Sequence, residues 1–291
     1  MNYPYNGDLI YRILGGLGNQ IFQIHNAIEI SKLLDNRVLL DFSGLQVRDQ
    51  HGEFWTHSLR QFEEISVVHD SSIDYSELKP LNIADFQTKN LTKLGENKIY
   101  FHGWTPSKRK IESIGILKPR HFLFDEQPLS FHPIEIGAIH LRRGDYYQNE
   151  NLGITSESYL MKSIKFARKR GVSFFHIYSD DEGEASFWKD NCKLSQLTFE
   201  VISEVDAIHA LRKLSQYRTL IASNSTYSFW ASFFSQALTY FPYPFYTHNA
   251  KFGNHLFDDP LCNIKVYDFP RVLESLRYFA VSRALRFRKT A

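Results

Sequence analysis

The chain has 291 residues, with 34 Lys and Arg against 32 Asp and Glu, so its net charge of +2 excludes the broad basic footprint of a nucleic-acid binder and makes any anion site a local one. That length suits two medium domains with packed cores, and the 24 Phe, 16 Tyr and 4 Trp supply cores and, where exposed, sugar or base platforms. No apolar run approaches the roughly 18 residues of a membrane span, no basic leader precedes an apolar segment, and Cys192 and Cys262 stand apart without metal-ligand spacing, which together predict a cytoplasmic protein.

Leu9 to Leu14 reads as a strand, Gly15-Gly-Leu-Gly18 as a tight turn, and Asn19 to Leu34 as an amphipathic helix with Ile21, Ile24, Ile28 and Leu33 near helical spacing. Arg37 to Phe42 is the next strand, which completes a βαβ opening. Residues 43–97 are weakly periodic and predict short helices and loops. Lys98 to Gly103 returns as a strand, followed by a polar turn, Trp104 to Lys108. The loop-like stretch from Pro119 to Pro133 sets the expected domain boundary, with residues 1–130 in one Rossmann-like domain and 131–291 in a second.

The second half alternates regularly: strand 136–141, helix 157–170 closed by Gly171, strand 174–179, a short helix through Phe187 and Trp188, strand 198–202, helix 206–216, strand 219–222 and an aromatic helix 227–238. Such alternation implies right-handed crossovers and a parallel sheet. From Arg271 onward the chain predicts a basic amphipathic helix that docks back across the domains; contact of Arg283, Arg286, Arg288 and Lys289 with an anionic membrane surface, at the inner membrane face, is the sharper alternative.

Three strands of this half end in polar residues: His140-Leu-Arg-Arg-Gly-Asp145, Ser179-Asp-Asp181 and Ser223-Asn-Ser-Thr226. In a parallel sheet these ends share one edge, where α/β folds place ligands. Alternation along the first strand puts His140 and Arg142 on one face and Leu141 and Arg143 on the other, so one arginine can enter a cleft while its neighbour braces the loop. A structural Arg–Asp pair is the plainer reading of the first end, and helix capping of the other two. A capped helix N-terminus also favours a phosphate through its dipole and free N–H groups. Together these ends describe a nucleotide-diphosphate pocket with His140, Arg142, Arg143, Asp180, Asp181, Ser223, Asn224, Ser225 and Thr226 as candidate binding residues.

The glycine turn invites a rival reading as a dinucleotide fingerprint, with Gly16, Gly18 and Asp41, which would make the protein an NAD-dependent oxidoreductase. Its third glycine is replaced by Ile21, which weakens it. We read Gly16 and Gly18 as letting backbone approach a ligand, with Asn19 pointing into the cleft. Walker, Gly-x-Ser-x-Gly, His-Glu-x-x-His and Asp-x-Asp motifs are absent, so cations rather than a metal must neutralise a leaving diphosphate. A non-catalytic sugar-binding module would explain the aromatic content but needs no paired arginines.

Four segments, Gly15-Gly-Leu-Gly-Asn-Gln-Ile-Phe-Gln23, His140-Leu-Arg-Arg-Gly-Asp-Tyr146, Tyr178-Ser-Asp-Asp181 and Ser223-Asn-Ser-Thr-Tyr-Ser-Phe-Trp-Ala231, resemble in order and spacing the motifs of the α-1,2-fucosyltransferases, glycosyltransferase family 11. His102-Gly-Trp-Thr-Pro-Ser-Lys108 resembles a further family segment, with changes, and Phe229 stands where tryptophan is common. The resemblance implies a GT-B-like fold of two facing Rossmann-like domains, the N-terminal one on the acceptor side. It also implies metal-independent, inverting transfer of L-fucose from GDP-fucose to a galactose-type glycan, lipid-linked in bacterial surface polysaccharide synthesis; another GDP-sugar would keep the same diphosphate site. By the same resemblance Arg142 contacts the donor diphosphate, Asn19 lies near the reacting centre and Asp145 supports the arginines. The acceptor's base stays open between His140, Asp145, Glu150 and a phosphate oxygen of the departing GDP.

Overall fold

The computed structural model describes residues 9–45, 52–59, 63, 65–68, 73–77, 79–82, 99–103, 130–148, 153–191, 197–203, 206–245 and 263–268. Trp104 to Lys108, Glu150, Cys192, Cys262 and the basic segment from Arg271 lie outside the described residues. The chain divides into two compact units, Met1–Asp125 and Glu126–Ala291. No helix among the described residues is long and apolar enough to cross a membrane.

The first unit is a parallel five-stranded sheet in the order β3-β2-β1-β5-β4. β1 (Leu9–Arg12) leads through the glycine turn into α1 (Leu17–Leu34) and β2 (Val38–Asp41); α2 (Gly52–Ser58), β3 (Ile65–Val68), β4 (Lys79–Asn82) and β5 (Ile99–His102) follow. The stretch expected to hold only short helices and loops therefore contributes two strands. Each is four residues long and lies at a sheet edge, too short to show a period, and Pro80 is tolerated in β4 because an edge strand has one ladder to fill. The amphipathic expectation for α1 also needs correcting. Among its described side chains only Lys32 is exposed, while Gln20, Gln23, His25 and Asn26 are buried with the isoleucines.

The two glutamines are tied to backbone. Leu14 N–H donates to Gln23 Oε1 at 2.8 Å and Gln23 Nε2 donates back to the Leu14 carbonyl at 2.9 Å. Gln20 Nε2 donates to the Gly15 carbonyl at 2.8 Å, and its Oε1 accepts from Trp55 Nε1 at 2.7 Å. Side chains thus satisfy the backbone of a turn that has left the sheet and not yet entered the helix, where buried polar groups need partners. Gly15 has φ +80°, and a Cβ there would meet Asn19 Nδ2 at 3.0 Å, so the turn requires glycine for both conformation and space.

The second unit is a parallel six-stranded sheet in the order β11-β10-β9-β6-β7-β8. Its elements run β6 (Ile136–Leu141), α3 (Glu157–Arg168), β7 (Phe174–Ser179), α4 (Glu182–Asn191), β8 (Thr198–Val201), α5 (Ala207–Leu214), β9 (Thr219–Ile221), α6 (Thr226–Ser235), β10 (Leu238–Tyr243) and β11 (Asn263–Tyr267). α3 begins where Ser156 Oγ accepts from the Tyr159 N–H, and ends before Gly171 at φ +95°. Ile164, Leu160 and Tyr159 of α3, with Trp188 of α4, pack on Ile139, Leu141, Phe175 and Ile177, each such burial stabilising by about 1.5–3 kcal/mol.

The aromatic helix α6 is shorter than its sequence suggested. It stops at Ser235, with Gln236 left-handed at φ +53°, and Leu238 starts β10 instead. Nothing as visible as a glycine marks that stop. Its Phe229, Trp230 and Phe234 are buried, so these rings serve the core rather than a sugar platform. Pro242 sits in β10 at a position paired with Val266 of β11, beyond the register of β9, which ends at Tyr240 opposite Ile221. The missing N–H therefore costs no bond on the β9 side.

Candidate active site

In the second unit, parallel register sets His140 beside Tyr178 and Leu141 beside Ser179, so the two chains leave the sheet side by side. Ser179 Oγ donates to the Leu141 carbonyl at 3.0 Å, and the Arg143 backbone N–H donates to Asp180 Oδ1 at 2.7 Å. The loop after β6 is thereby fastened to the loop after β7. A Cβ on Gly144 would come within 2.5 Å of Asp180 Oδ2, closer than any real side chain could stand.

The adjacent arginines diverge as alternation requires. Arg143 turns inward, its side chain 2% exposed, with Nε and Nη2 both 3.0 Å from Glu184 Oε1 and Nη1 donating to Thr155 Oγ1 at 3.1 Å. The same Glu184 oxygen accepts from Trp188 Nε1 at 3.1 Å. Arg142 remains 32% exposed: Nη2 lies 2.6 Å from Asp145 Oδ1, Nη1 lies 2.7 Å from Asp180 Oδ2, and its guanidinium carbon lies 5.4 Å from the centre of the Tyr146 ring. Among the described residues, two guanidiniums here meet three carboxylates, those of Asp145, Asp180 and Glu184, with the Asp181 carboxylate close by at the start of α4. The edge is less cationic than the paired arginines alone suggest.

His140 is buried. Its Nδ1 lies 2.6 Å from Ser228 Oγ and 3.2 Å from Ser223 Oγ, and the two hydroxyls are 3.1 Å apart. Burial first, then the positive charges of Arg142 and Arg143, push its pKa down to about 3. With its pKa held that low, the ring stands as a neutral brace whose Nδ1 is held by the two serine hydroxyls.

The Ser223–Thr226 segment is likewise held from within. Asn224 Nδ2 donates to the Gly153 carbonyl at 3.1 Å, the Asn224 carbonyl accepts from Tyr146 Oη at 3.2 Å, and Ser225 Oγ accepts from the Tyr227 N–H at 3.2 Å as the cap of α6. Asp181 caps α4, accepting from the Glu184 N–H at 3.0 Å. Acidic groups crowd the start of α4, whereas α6 begins under a neutral serine with no acid in its first turn. Of the two helix N-termini, that of α6 suits an anion.

The structure thus gathers His140, Arg142, Arg143, Asp145, Asp180, Asp181, Ser223, Asn224, Ser225 and Thr226 on one edge of the second sheet. Gly16, Gly18 and Asn19 belong to the first unit: Gly16 precedes α1, and Gly18 and Asn19 form its opening turn. Sequence reasoning missed Glu184, Thr155, Ser228 and Gly144. Glu184 alone left a trace, the capping-box spacing Asp181-Glu-Gly-Glu184, although its carboxylate serves Arg143 and Trp188 rather than the cap. The rival nicotinamide reading loses its anchor: Asp41 is buried, accepts from the Ser43 N–H at 2.9 Å and from the Tyr75 hydroxyl, and so has no rim position for a ribose.

Residues 120–255 match the model of glycosyl transferase family 11, a region that contains every motif of this edge. The chain is 24% identical to the α-1,2-colitosyltransferase of Escherichia coli over 276 residues, 82% of this chain and 92% of that protein. Among solved structures it is similar to the fucosyltransferase NodZ from Bradyrhizobium, at 11% identity and a TM-score of 0.45 over 77% of this chain and 91% of that one. It is also similar to the apo form of POFUT1, at 12% identity and a TM-score of 0.49 over 83% of this chain and 99% of that one.

Proposed function

We propose that the chain, whose residues 120–255 match the glycosyl transferase family 11 model, is an enzyme of that family that transfers L-fucose from GDP-fucose to the 2-hydroxyl of a galactose-type acceptor, with inversion and without a metal. The observation that carries this reading is Arg142: a guanidinium one-third exposed at a parallel strand end, held by Asp145 and Asp180 next to a buried Arg143. Its counterpart across the edge is the neutral start of α6.

In the proposed reaction the acceptor oxygen attacks the anomeric carbon as the bond to the β-phosphate breaks. Negative charge grows on the departing GDP, where Arg142 and the N–H groups at Thr226 stabilise it more than in the ground state. We assign His140, held at Nδ1 by Ser228 and Ser223, to bracing the strand end rather than to taking the acceptor proton. The acceptor proton passes either to a carboxylate, Asp145 or Glu150, or to a phosphate oxygen of a GDP that has first departed loosely, and a pH–rate profile without a carboxylate titration supports the second route. The family resemblance puts Asn19 near the reacting centre, to be tested by the transfer rate of Asn19→Ala. A lipid-linked surface glycan is the acceptor class we assign.

Thermal stabilisation by GDP, UDP and NAD in parallel tests the nucleotide. A shift with GDP alone supports the reading, and no shift with GDP overturns it. Turnover that survives EDTA supports a metal-free mechanism; turnover that EDTA abolishes and a divalent cation restores refutes it. One observation favours a second donor: the 24% identical relative is named for colitose, so GDP-colitose and GDP-fucose should be compared directly.

A further inference from the structure

Arg142 is not waiting empty for a diphosphate. Both of its terminal nitrogens already hold carboxylates, Asp145 at 2.6 Å and Asp180 at 2.7 Å, and the two are held very differently. Asp180 also accepts the Arg143 backbone N–H at 2.7 Å and packs so closely on Gly144 that a Cβ there would reach 2.5 Å. It is part of the scaffold joining two loops, and its side chain is 25% exposed. Asp145 sits on the short 3-10 turn Gly144–Gln148, three residues from Arg142, with its side chain 49% exposed.

We propose that Asp145 is a stand-in for the donor diphosphate: it holds Arg142 aimed in the free protein and is displaced when the nucleotide arrives, while Asp180 keeps its bond throughout. This inference rests on the GDP-sugar reading above. The physical ground is a difference in cost. A half-exposed ion pair within one turn contributes little, so a diphosphate can replace it cheaply. Releasing the Asp180 bond would unfasten the loop after β6 from the loop after β7. With both carboxylates in place the guanidinium is over-compensated, and an incoming anion must remove one of them to gain from it. Asp145 is then a positioning residue that lowers the affinity for nucleotide in exchange for an arginine already in place.

Titrating GDP calorimetrically into the wild-type chain, Asp145→Asn and Asp180→Asn tests this, because the two substitutions remove the same charge from the same guanidinium at nearly the same distance. Asp145→Asn should bind GDP about two- to fivefold more tightly, the range expected when an exposed pair no longer competes. Asp180→Asn should bind no more tightly, or more weakly. Equal tightening by both would mean plain through-space repulsion and would overturn the proposal, as would unchanged or weaker binding by Asp145→Asn. If Asp180→Asn does not fold, Glu182→Gln on the exposed start of α4 replaces it as the charge control, and equal tightening there counts against the proposal. Wild-type protein that gives no heat with GDP sinks the function reading itself and this inference with it, whereas wild-type binding without the Asp145 effect sinks the inference alone.

Discussion

Arg143 and Glu184 meet through a single oxygen: two guanidinium nitrogens lie 3.0 Å from Oε1, which also accepts from Trp188 Nε1. With the arginine side chain 2% exposed, removing the carboxylate leaves a buried charge without its counter-ion. Glu184→Gln should destabilise the protein by about 3 kcal/mol, the lower end of what breaking a buried pair costs. Urea unfolding measures it; a loss below about 0.5 kcal/mol, the size of an ordinary surface change, would show the pair to be incidental.

Arg142→Ala should lower transfer on the order of a hundredfold or more, as loss of one preorganised donor does, with an unchanged unfolding midpoint because the side chain is partly exposed. Arg142→Lys should recover little of it, since an ammonium cannot span two acceptors as the guanidinium fork does. Near-normal turnover by the alanine variant in a sugar-transfer assay would remove Arg142 from the mechanism.

Gly144→Ala should uncouple activity from stability in a different way. A methyl group 2.5 Å from Asp180 Oδ2 must push that carboxylate off Arg142 and off the Arg143 N–H. Transfer should fall at least about tenfold, the size of effect that a displacement near 1 Å produces or exceeds, and a crystal structure of the variant should show Asp180 moved. Full activity would mean that Asp180 is not needed where it stands.

The pH dependence of stability has a definite sign. His140 has a folded pKa of about 3 against an ordinary 6.5, so between those values the unfolded chain takes up a proton that the folded chain refuses. Stability is therefore lost as pH falls from about 6.5 toward 3, with the depressed His132 and His176 acting in the same direction. His140→Gln should make that decline shallower by at most about 1.4 kcal/mol per pH unit, one proton's worth. Identical slopes for the two proteins would mean that His140 titrates normally.

The sequence was most readable where an apolar run ended abruptly in charge. β6 and β7 carried that signal, and the opposite fates of Arg142 and Arg143 followed from alternation alone. It was least readable at sheet margins: β3 and β4 are too short to show a period, β4 and β10 contain proline, and β10 starts just after a helix stop at Gln236 that no glycine announces. At the site, residue types pointed to an anion pocket, but its charge balance was hidden. Glu184 reaches Arg143 across 41 positions of sequence, and no local pattern encodes a contact of that range. Ser228 was masked differently, as one small residue in an aromatic helix whose hydroxyl turns back to His140.

Tyr159 has one hydroxyl proton and two acceptors, the Ala222 carbonyl at 2.5 Å and the Tyr240 carbonyl at 2.7 Å. The chain leaving β9 is thus tethered from the α3 side, behind the edge where Ser223 to Thr226 emerge. A rim tethered in this way does not have to condense around its guest. The heat capacity change on nucleotide binding should then reflect contact area alone, far short of the roughly 1,000–3,000 Å² signature of coupled folding. Tyr159→Phe, by freeing the rim, should make that change more negative.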